Sequence, residues 1–317
     1  MSRRDVLVMV PPRPKAMAQL ESEYTLHRYD MATDKASFLA QNGPHCQAIV
    51  TNGHAELTRE QLEHLPNVGI VACSSAGFEK IDIDALQERG IALTNSSDAL
   101  LNEVADVALM LTLATRRELV QAHDYVRSGD WAKKGMYPLL SSMTGKRAGI
   151  VGLGNIGKAI ARRLEVLGVE IGYIARSSKH VPYRFFEDVR SLAGWADILV
   201  AIVPGGDETR NMIDRTVLEA LGPTGTLINV ARGSVVDEEA LIETLSTGKL
   251  GSAGLDVYVD EPDPNPALTS LPNVTLYPHH ASGTVETRDA MAQTVVDNLA
   301  AHFAGQPLLN PVFAERA

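Results

Sequence analysis

The sequence has little of what marks secreted, membrane-spanning or metal-binding proteins. It contains two cysteines in 317 residues, Cys46 and Cys73, and neither has the spacing of a metal ligand. Their apolar surroundings predict buried free thiols in a reducing compartment. No apolar stretch approaches the ~20 residues of a membrane span, and the short run Val6–Val10 predicts a first β-strand rather than a signal sequence. We therefore predict a cytoplasmic protein that has no membrane partner.

Positive charge is also scarce. The chain has 29 Lys and Arg but 39 Asp and Glu, which gives a net charge of −10. An acidic chain without a Lys/Arg cluster argues against binding of DNA or RNA. An anionic substrate must then be bound by a few local cations or backbone amides. The nine histidines form no metal-ligand pattern, so we predict no metal site.

What the chain does contain is alternation of strand-like and helix-like segments, which predicts βαβ units and parallel sheets. The predicted strands are Val6–Val10, Ala48–Thr51, Val68–Cys73, Ile91–Leu93, Ala148–Val151, Glu170–Ala175, Ile198–Val203, Thr226–Val230, Ala253–Val257 and Val274–Leu276. The predicted helices include Pro14–Ser22, Thr58–His64, Asn102–Arg127, Lys158–Leu167, Asp237–Thr247 and Val285–Phe303. The fold class is α/β, with two doubly wound, Rossmann-like parallel-sheet domains and ligands at the carboxyl ends of the strands.

The first chemical signal is a glycine-rich turn with the pattern G-x-G-x-x-G. It lies between a predicted strand and a predicted helix, as dinucleotide binding requires, and consists of Gly152, Leu153, Gly154, Asn155, Ile156 and Gly157. Its glycines allow a tight turn, close approach of the backbone to a pyrophosphate, and close packing of helix on strand. We predict that these residues bind a dinucleotide.

The second signal is the segment that follows the next strand. NAD enzymes place Asp or Glu there to hold the ribose 2′-hydroxyl, but this chain has Ala175, Arg176, Ser177, Ser178 and Lys179. A cation and hydroxyls suit a 2′-phosphate, which a carboxylate would repel. A solvated loop with incidental charge is the alternative. We predict NADP(H) as the preferred cofactor, with NAD(H) possible.

The third signal is a set of ionisable residues that follow three predicted strands, namely Arg232, Glu261 and His279. Each has an ordinary structural alternative when taken alone, such as a surface cation or a core imidazole. Together they suit reduction of a 2-oxo acid, because Arg binds a carboxylate bidentately and His donates a proton near neutral pH. A carboxylate beside the His favours the charged ring and fixes its orientation.

These motifs resemble the D-isomer-specific 2-hydroxyacid dehydrogenase family. The matching stretches are residues 149–157, 229–237, 255–262 and 278–284, in that order. The resemblance implies that Arg232 binds substrate, that Glu261 supports the acid, and that His279 is the general acid/base. The neighbouring His280 stands where the family usually has a small or apolar residue, which favours His279.

The resemblance also implies the domain order and an active site in the cleft between the domains. Residues 1–98 form a substrate-binding domain that the C-terminal helix, 286–317, completes, and 99–285 form an inserted dinucleotide-binding domain. Residues 74–82 resemble the family's substrate loop, with a plain glycine turn as the alternative. The implied substrate contacts are Asn52, Gly53, Ala76, Gly77 and Arg232. The stretch Ser128–Gly145 resembles the family's dimer arm and implies a homodimer.

The predicted cofactor contacts comprise the glycine-rich turn, residues 175–178 and further positions after the strands. These are Val203, Pro204, Val230, Ala231, Asp256, Ser282 and Gly283. The 175–178 segment resembles that of the glyoxylate/hydroxypyruvate and hydroxyphenylpyruvate reductases, most of which prefer NADPH. We predict an NADPH-preferring reductase of glyoxylate and hydroxypyruvate. Hydroxyphenylpyruvate and 2-ketogluconate reductases are the enzymatic alternatives. A nucleotide-sensing corepressor, which binds NAD(H) and partner proteins, is the alternative from another class.

Overall fold

The computed structural model describes residues 3–313, which form twelve strands and thirteen α-helices. The strands are β1 (Asp5–Val8), β2 (Thr25–Arg28), β3 (Ala48–Thr51), β4 (Ile70–Cys73), β5 (Ala92–Thr94), β6 (Arg147–Val151), β7 (Glu170–Ile174), β8 (Arg184–Phe185), β9 (Ile198–Ala201), β10 (Thr226–Asn229), β11 (Ser252–Leu255) and β12 (Val274–Leu276). The helices are α1 (Pro14–Glu23), α2 (Lys35–Asn42), α3 (Arg59–Glu63), α4 (Ile83–Glu88), α5 (Ser97–Arg116), α6 (Leu119–Arg127), α7 (Asp130–Lys134), α8 (Asn155–Glu165), α9 (Val189–Trp195), α10 (Arg215–Leu221), α11 (Glu238–Ser246), α12 (Pro266–Thr269) and α13 (Val285–Phe303).

The described chain divides into two compact units. One contains the residues up to Leu100 and those from Ser282 onward, and the other is Leu101–Ala281. The predicted domain boundaries, 98/99 and 285/286, lie within a few residues of these divisions. Residues 1, 2 and 314–317, which the prediction also included, lie outside the described range. The assignment of substrate to one unit and cofactor to the other stays a prediction.

The first unit is a five-stranded parallel sheet in the order β2-β1-β3-β4-β5. Its central strands are buried throughout because their side chains are almost all aliphatic, as is usual for a parallel sheet covered on both faces. One face packs on α1 and α13, where Val295 and Leu299 are buried beside Val6 and Val50. The helix α3 begins with a capping box, in which Thr58 and Gln61 bond each other's backbone N–H groups.

The second unit is a seven-stranded parallel sheet in the order β12-β11-β10-β9-β6-β7-β8. The strand order reverses between β6 and β9, and ligands bind at the carboxyl ends of strands beside such a reversal. The sheet order and direction confirm the predicted class of two doubly wound α/β domains.

Several predicted elements differ in detail from the structure. The single helix predicted for Asn102–Arg127 is wrong, because the chain breaks at Glu118, which adopts φ 45, and forms α5 and α6. The stretch Ser128–Gly145 contains the short helix α7. The helix after the glycine-rich turn begins at Asn155 rather than Lys158, so it starts inside the motif. The strands β2 and β8 were not predicted.

Two further expectations can be compared with the structure. Cys46 and Cys73 are both buried and free, as predicted, and burial raises the pKa of Cys46 to about 12 and of Cys73 to about 11. Among residues 3–313, no helix combines the length and apolar character that a membrane span requires.

Candidate active site

The glycine-rich turn directly follows β6, at the reversal of the strand order. Gly152 adopts φ 104, and a Cβ there would lie 2.7 Å from the carbonyl oxygen of Ile202, just beyond β9. A Cβ at Gly157 would lie 2.1 Å from the carbonyl oxygen of Gly152, so only glycine lets α8 approach the turn. Gly154 is exposed, and apart from its two chain neighbours no described residue has an atom within 4 Å of its Cβ position.

This geometry fits a dinucleotide pyrophosphate. The helix α8 begins at Asn155 directly after the open Gly154, so its first N–H groups and its dipole face the place that a phosphate would take. Leu153 is buried and Ile156 is half-buried, so these two side chains anchor the turn. A bound nicotinamide dinucleotide would therefore be held by the backbone of residues 152–157.

The segment that follows β7 is exposed from Arg176 to Lys179. The buried Tyr173 holds its far end, because its hydroxyl accepts a hydrogen bond from the Lys179 N–H at 2.7 Å and donates to the Lys179 carbonyl at 3.3 Å. The segment is thus a loop tied at both ends that presents Arg176, Ser177 and Ser178 to solvent. Sequence reasoning missed the clamp by Tyr173.

The other predicted cofactor residues of this unit also follow strands of the second sheet. Val203 and Pro204 come after β9, while Val230 and Ala231 come after β10 and are buried. The remaining pair, Ser282 and Gly283, belongs to the first unit, so a cofactor contact there stays a prediction.

Arg232, Glu261 and His279 follow β10, β11 and β12, which are neighbouring parallel strands. All three therefore lie along one edge of the sheet. The loops touch, because a Cβ at Gly233 would lie 1.9 Å from the carbonyl carbon of Tyr258. The structure thus gathers the three predicted residues on adjoining loops.

Glu261 connects two of these loops. Its Oε1 accepts a hydrogen bond from the Tyr258 N–H at 2.9 Å, and its Oε2 lies 2.6 Å from Nδ1 of His279. Both side chains are about one-third exposed, with relative areas of 34% for His279 and 30% for Glu261. The pairing fixes the ring and directs its other nitrogen, Nε2, away from Glu261.

The backbone around His279 is held by a buried carboxylate. His279 adopts φ 48, a left-handed conformation that is uncommon outside glycine. Asp256, only 1% exposed, accepts hydrogen bonds from the N–H groups of His280 at 2.8 Å and Ala281 at 3.2 Å. Burial raises the pKa of Asp256 above its ordinary value. The predicted cofactor contact of Asp256 stays a prediction, and this structural role was missed.

Two further side chains that sequence reasoning missed also shape these loops. Asn229 accepts a hydrogen bond from the Ala231 N–H at 3.0 Å and donates to the Arg232 carbonyl at 2.9 Å. The Tyr258 hydroxyl donates to the Tyr277 carbonyl at 2.9 Å and joins the second loop to the third. Burial raises the pKa of Tyr258 to about 12, so the hydroxyl stays protonated and can donate.

The predicted substrate contacts of the first unit form a second cluster of loops. Asn52 and Gly53 follow β3, and Ala76 and Gly77 follow the adjacent strand β4. A Cβ at Gly53 would lie 1.9 Å from the Gly77 carbonyl oxygen, and the Gly53 N–H donates to Ser75 Oγ at 3.1 Å. The structure therefore brings these four residues together at one edge of the first sheet.

Comparison with known proteins identifies the family. Residues 109–281 match the model of the NAD-binding domain of D-isomer-specific 2-hydroxyacid dehydrogenases. The chain belongs to this family. The match covers the glycine-rich turn and all of Arg232, Glu261 and His279.

Relatives in the D-2-hydroxyacid dehydrogenase family match over nearly the whole chain. Glyoxylate/hydroxypyruvate reductase A of Arabidopsis thaliana is 44% identical over 97% of this chain and 98% of its own length. Hydroxyphenylpyruvate reductase of Plectranthus scutellarioides is 43% identical with the same coverage. The NADPH-dependent glyoxylate/hydroxypyruvate reductase of Sinorhizobium meliloti, solved with NADP and malonate, is 38% identical with a TM-score of 0.87 over 100% of both chains. This dehydrogenase is thus an oxidoreductase that uses a nicotinamide cofactor and acts on CH–OH groups.

Proposed function

We propose that the protein is an NADPH-preferring reductase of small 2-oxo acids, which converts glyoxylate to glycolate and hydroxypyruvate to the D-2-hydroxy acid D-glycerate. The observation that carries the proposal is the hydrogen-bonded pair of Glu261 and His279 on loops adjoining that of Arg232, at the same sheet edge as the dinucleotide turn. Support for the substrate class comes from relatives named glyoxylate/hydroxypyruvate reductase.

The proposed roles follow from the chemistry of each side chain. A bound nicotinamide cofactor supplies the hydride. The Arg232 guanidinium binds the substrate carboxylate and carbonyl through its planar set of N–H donors. His279, whose Nδ1 faces Glu261, donates a proton from Nε2 to the carbonyl oxygen. We further propose that the loops of Asn52, Gly53, Ala76 and Gly77 bind the substrate carboxylate through backbone N–H groups.

Glu261 is proposed as a positioning residue that acts through His279. The variant Glu261→Gln keeps an oxygen that can accept from Nδ1 but loses the negative charge that favours a protonated ring. We expect kcat for reduction to fall about tenfold, which is less than the 10²–10⁴-fold typical of removing the general acid itself, while KM for the 2-oxo acid changes less than twofold. Steady-state kinetics of Glu261→Gln and Glu261→Ala measure this split. A rise in KM as large as the fall in kcat would show a merely structural role.

The cofactor preference is proposed to rest on Arg176. Because an arginine can bind a 2′-phosphate through paired charge-assisted hydrogen bonds, Arg176→Ala should raise KM for NADPH by about 10–100-fold, the equivalent of ~1.5–3 kcal/mol. KM for NADH should change little. The matched control is Arg162→Ala, because Arg162 is an exposed arginine within α8. Equal catalytic efficiency of the wild type with NADPH and NADH would contradict the proposed preference.

A substrate panel tests the proposed function. NADPH oxidation is measured with glyoxylate, hydroxypyruvate, hydroxyphenylpyruvate and 2-ketogluconate, and the highest kcat/KM is expected with one of the first two. Highest efficiency with either of the others would assign the alternative reductase activity. Cofactor binding without turnover of any 2-oxo acid would favour the corepressor-like function.

We also propose a homodimer formed through the Ser128–Gly145 stretch. Its apolar side chains are unusually exposed, with Leu139 at 92% and Met136 at 81%, beside Trp131 at 62%. Exposed apolar area of this kind typically marks an interface. We expect the wild type to have the mass of a dimer in light scattering and Leu139→Glu to have that of a monomer; a monomeric wild type would contradict this. Cytoplasmic location stays a prediction.

A further inference from the structure

Hydrogen bonds hold both ends of the loop formed by residues 175–179, which is called the Arg176 loop below. At its start, the carbonyl of the last residue of β7 accepts a hydrogen bond from the Gly152 N–H at 3.0 Å. At its far end, the Tyr173 hydroxyl accepts from the Lys179 N–H at 2.7 Å and donates to the Lys179 carbonyl at 3.3 Å. The loop is therefore fixed beside the glycine-rich turn.

Tyr173 has the surroundings of a rigid anchor. It lies within β7, its side chain is buried, and its ring packs against Phe185 of the neighbouring strand β8 with centroids 5.5 Å apart. Its carbonyl accepts a hydrogen bond from the Phe186 N–H at 2.9 Å. One residue thus holds the Arg176 loop through its side chain and the returning strand through its backbone.

The polar side chains of the loop are not held by the rest of the protein. Arg176, Ser177 and Ser178 are exposed, and within residues 3–313 no hydrogen bond or ion pair involves their side chains. Their positions therefore depend on the backbone that carries them. A clamp on that backbone limits where the guanidinium and the two hydroxyls can meet a ligand.

We propose that Tyr173 is a positioning residue for NADPH, which holds the Arg176 loop in the conformation that binds the 2′-phosphate. The inference rests on the proposed function, because it assumes that Arg176 meets this phosphate. The buried hydroxyl needs no contact with the cofactor, since it acts through the backbone of Lys179.

The physical basis is the entropy of the loop. A segment that becomes ordered only when a ligand binds loses conformational entropy at that moment, which weakens binding. A loop that is already fixed avoids this loss. NADH has no 2′-phosphate and does not draw on the loop in the same way, so the clamp strengthens NADPH binding selectively.

Removal of one hydroxyl separates this role from packing. Tyr173→Phe keeps the ring that packs on Phe185 and loses only the two bonds to Lys179, which is an exposed residue, so we expect the variant to fold. Kd for NADPH should rise about 3–10-fold, the equivalent of one neutral hydrogen bond, while Kd for NADH changes less than about twofold. Isothermal titration with each cofactor measures both constants without turnover.

The matched control is Tyr183→Phe. Tyr183 lies shortly after the Arg176 loop, and its hydroxyl donates to Oε2 of Glu165 at 2.7 Å, so this variant loses a nearby tyrosine hydroxyl without losing the clamp. Its Kd for NADPH should stay within about twofold of the wild-type value, the ordinary scale for a surface contact. A rise as large as that in Tyr173→Phe would contradict a role specific to the clamp.

Hydrogen–deuterium exchange of the cofactor-free protein tests the clamp independently of binding. The Lys179 amide should be protected in the wild type, although the loop is exposed, and should exchange about tenfold faster in Tyr173→Phe, because its hydrogen bond is lost. Residues 152–157 should exchange equally in both proteins. Equal exchange of the Lys179 amide in the two proteins would overturn the inference, because the hydroxyl would then not hold the loop.

The titrations distinguish failure of this inference from failure of the proposed function. Tighter binding of NADPH than of NADH by the wild type, with an unchanged Kd for NADPH in Tyr173→Phe, would overturn only the inference. An equal rise in Kd for both cofactors in Tyr173→Phe would do the same, since the hydroxyl would then support the fold as a whole. Equal affinity of the wild type for both cofactors would overturn the proposed NADPH preference and this inference with it.

Discussion

Replacing His279 with alanine should lower kcat for 2-oxo acid reduction by about 10²–10⁴-fold, the contribution typical of a general acid. The structure places Nδ1 of this ring 2.6 Å from Glu261 and thereby fixes which nitrogen is presented to substrate. Cofactor affinity should not change, because no predicted cofactor contact is removed. Steady-state kinetics with hydroxypyruvate and a fluorescence titration with NADPH measure the two quantities.

The matched control for this variant is the neighbouring residue, His280. Its side chain is exposed, and the hydrogen bond to Asp256 comes from its backbone N–H, which alanine keeps. We expect His280→Ala to retain kcat within about threefold, the ordinary scale for exposed substitutions. Equal losses in both variants would mean that the loop, rather than proton transfer from His279, had been disturbed.

Replacing Arg232 with alanine should raise KM for hydroxypyruvate and lower kcat together, with a combined loss in kcat/KM of at least about 10²-fold. The estimate follows from the loss of a bidentate, charge-assisted pair at about 1.5–3 kcal/mol per hydrogen bond. Arg232→Lys should recover little, because a lysine ammonium cannot reproduce the planar pair of donors.

The specificity of this effect can be checked with a substrate that lacks the carboxylate. In dihydroxyacetone a hydroxymethyl group replaces the carboxylate of hydroxypyruvate. The gap in kcat/KM between hydroxypyruvate and dihydroxyacetone should therefore close in Arg232→Ala. Arg210→Ala, an exposed arginine of the same unit, is the control and should keep the gap. A gap that persists in Arg232→Ala would show that another group binds the carboxylate.

The parallel sheets and the location of the predicted trio followed from the sequence because both depend on strong local signals. Buried parallel strands are continuous apolar runs, and Ala48–Thr51 was predicted to the residue. Residues that follow neighbouring parallel strands share one edge of a sheet, so Arg232, Glu261 and His279 could be placed together without knowledge of distances.

The elements that were missed lack such signals. The edge strand β2 is exposed or half-buried along its length, so Thr25–Arg28 has no apolar run. The break between α5 and α6 occurs at Glu118, which adopts a left-handed conformation. The sequence has no glycine or proline there to signal the break. The strand β8 has two residues and depends on pairing with β7.

The supporting residues of the site could not be predicted because their partners are distant in sequence or are backbone atoms. Asp256 holds the turn of His279 through N–H groups that lie 24 and 25 residues away. Tyr173 clamps the Arg176 loop through the backbone of Lys179, and no motif encodes this contact.

The central claim is that hydride passes from a nicotinamide cofactor to C2 of a small 2-oxo acid and gives the D-hydroxy acid. The most direct test incubates the wild type with hydroxypyruvate and NADPH that is deuterated at C4 of the nicotinamide, using both C4 epimers in parallel. We predict D-glycerate that has deuterium at C2 with one of the two epimers. L-glycerate, or glycerate that lacks deuterium at C2 with both epimers, would contradict the account.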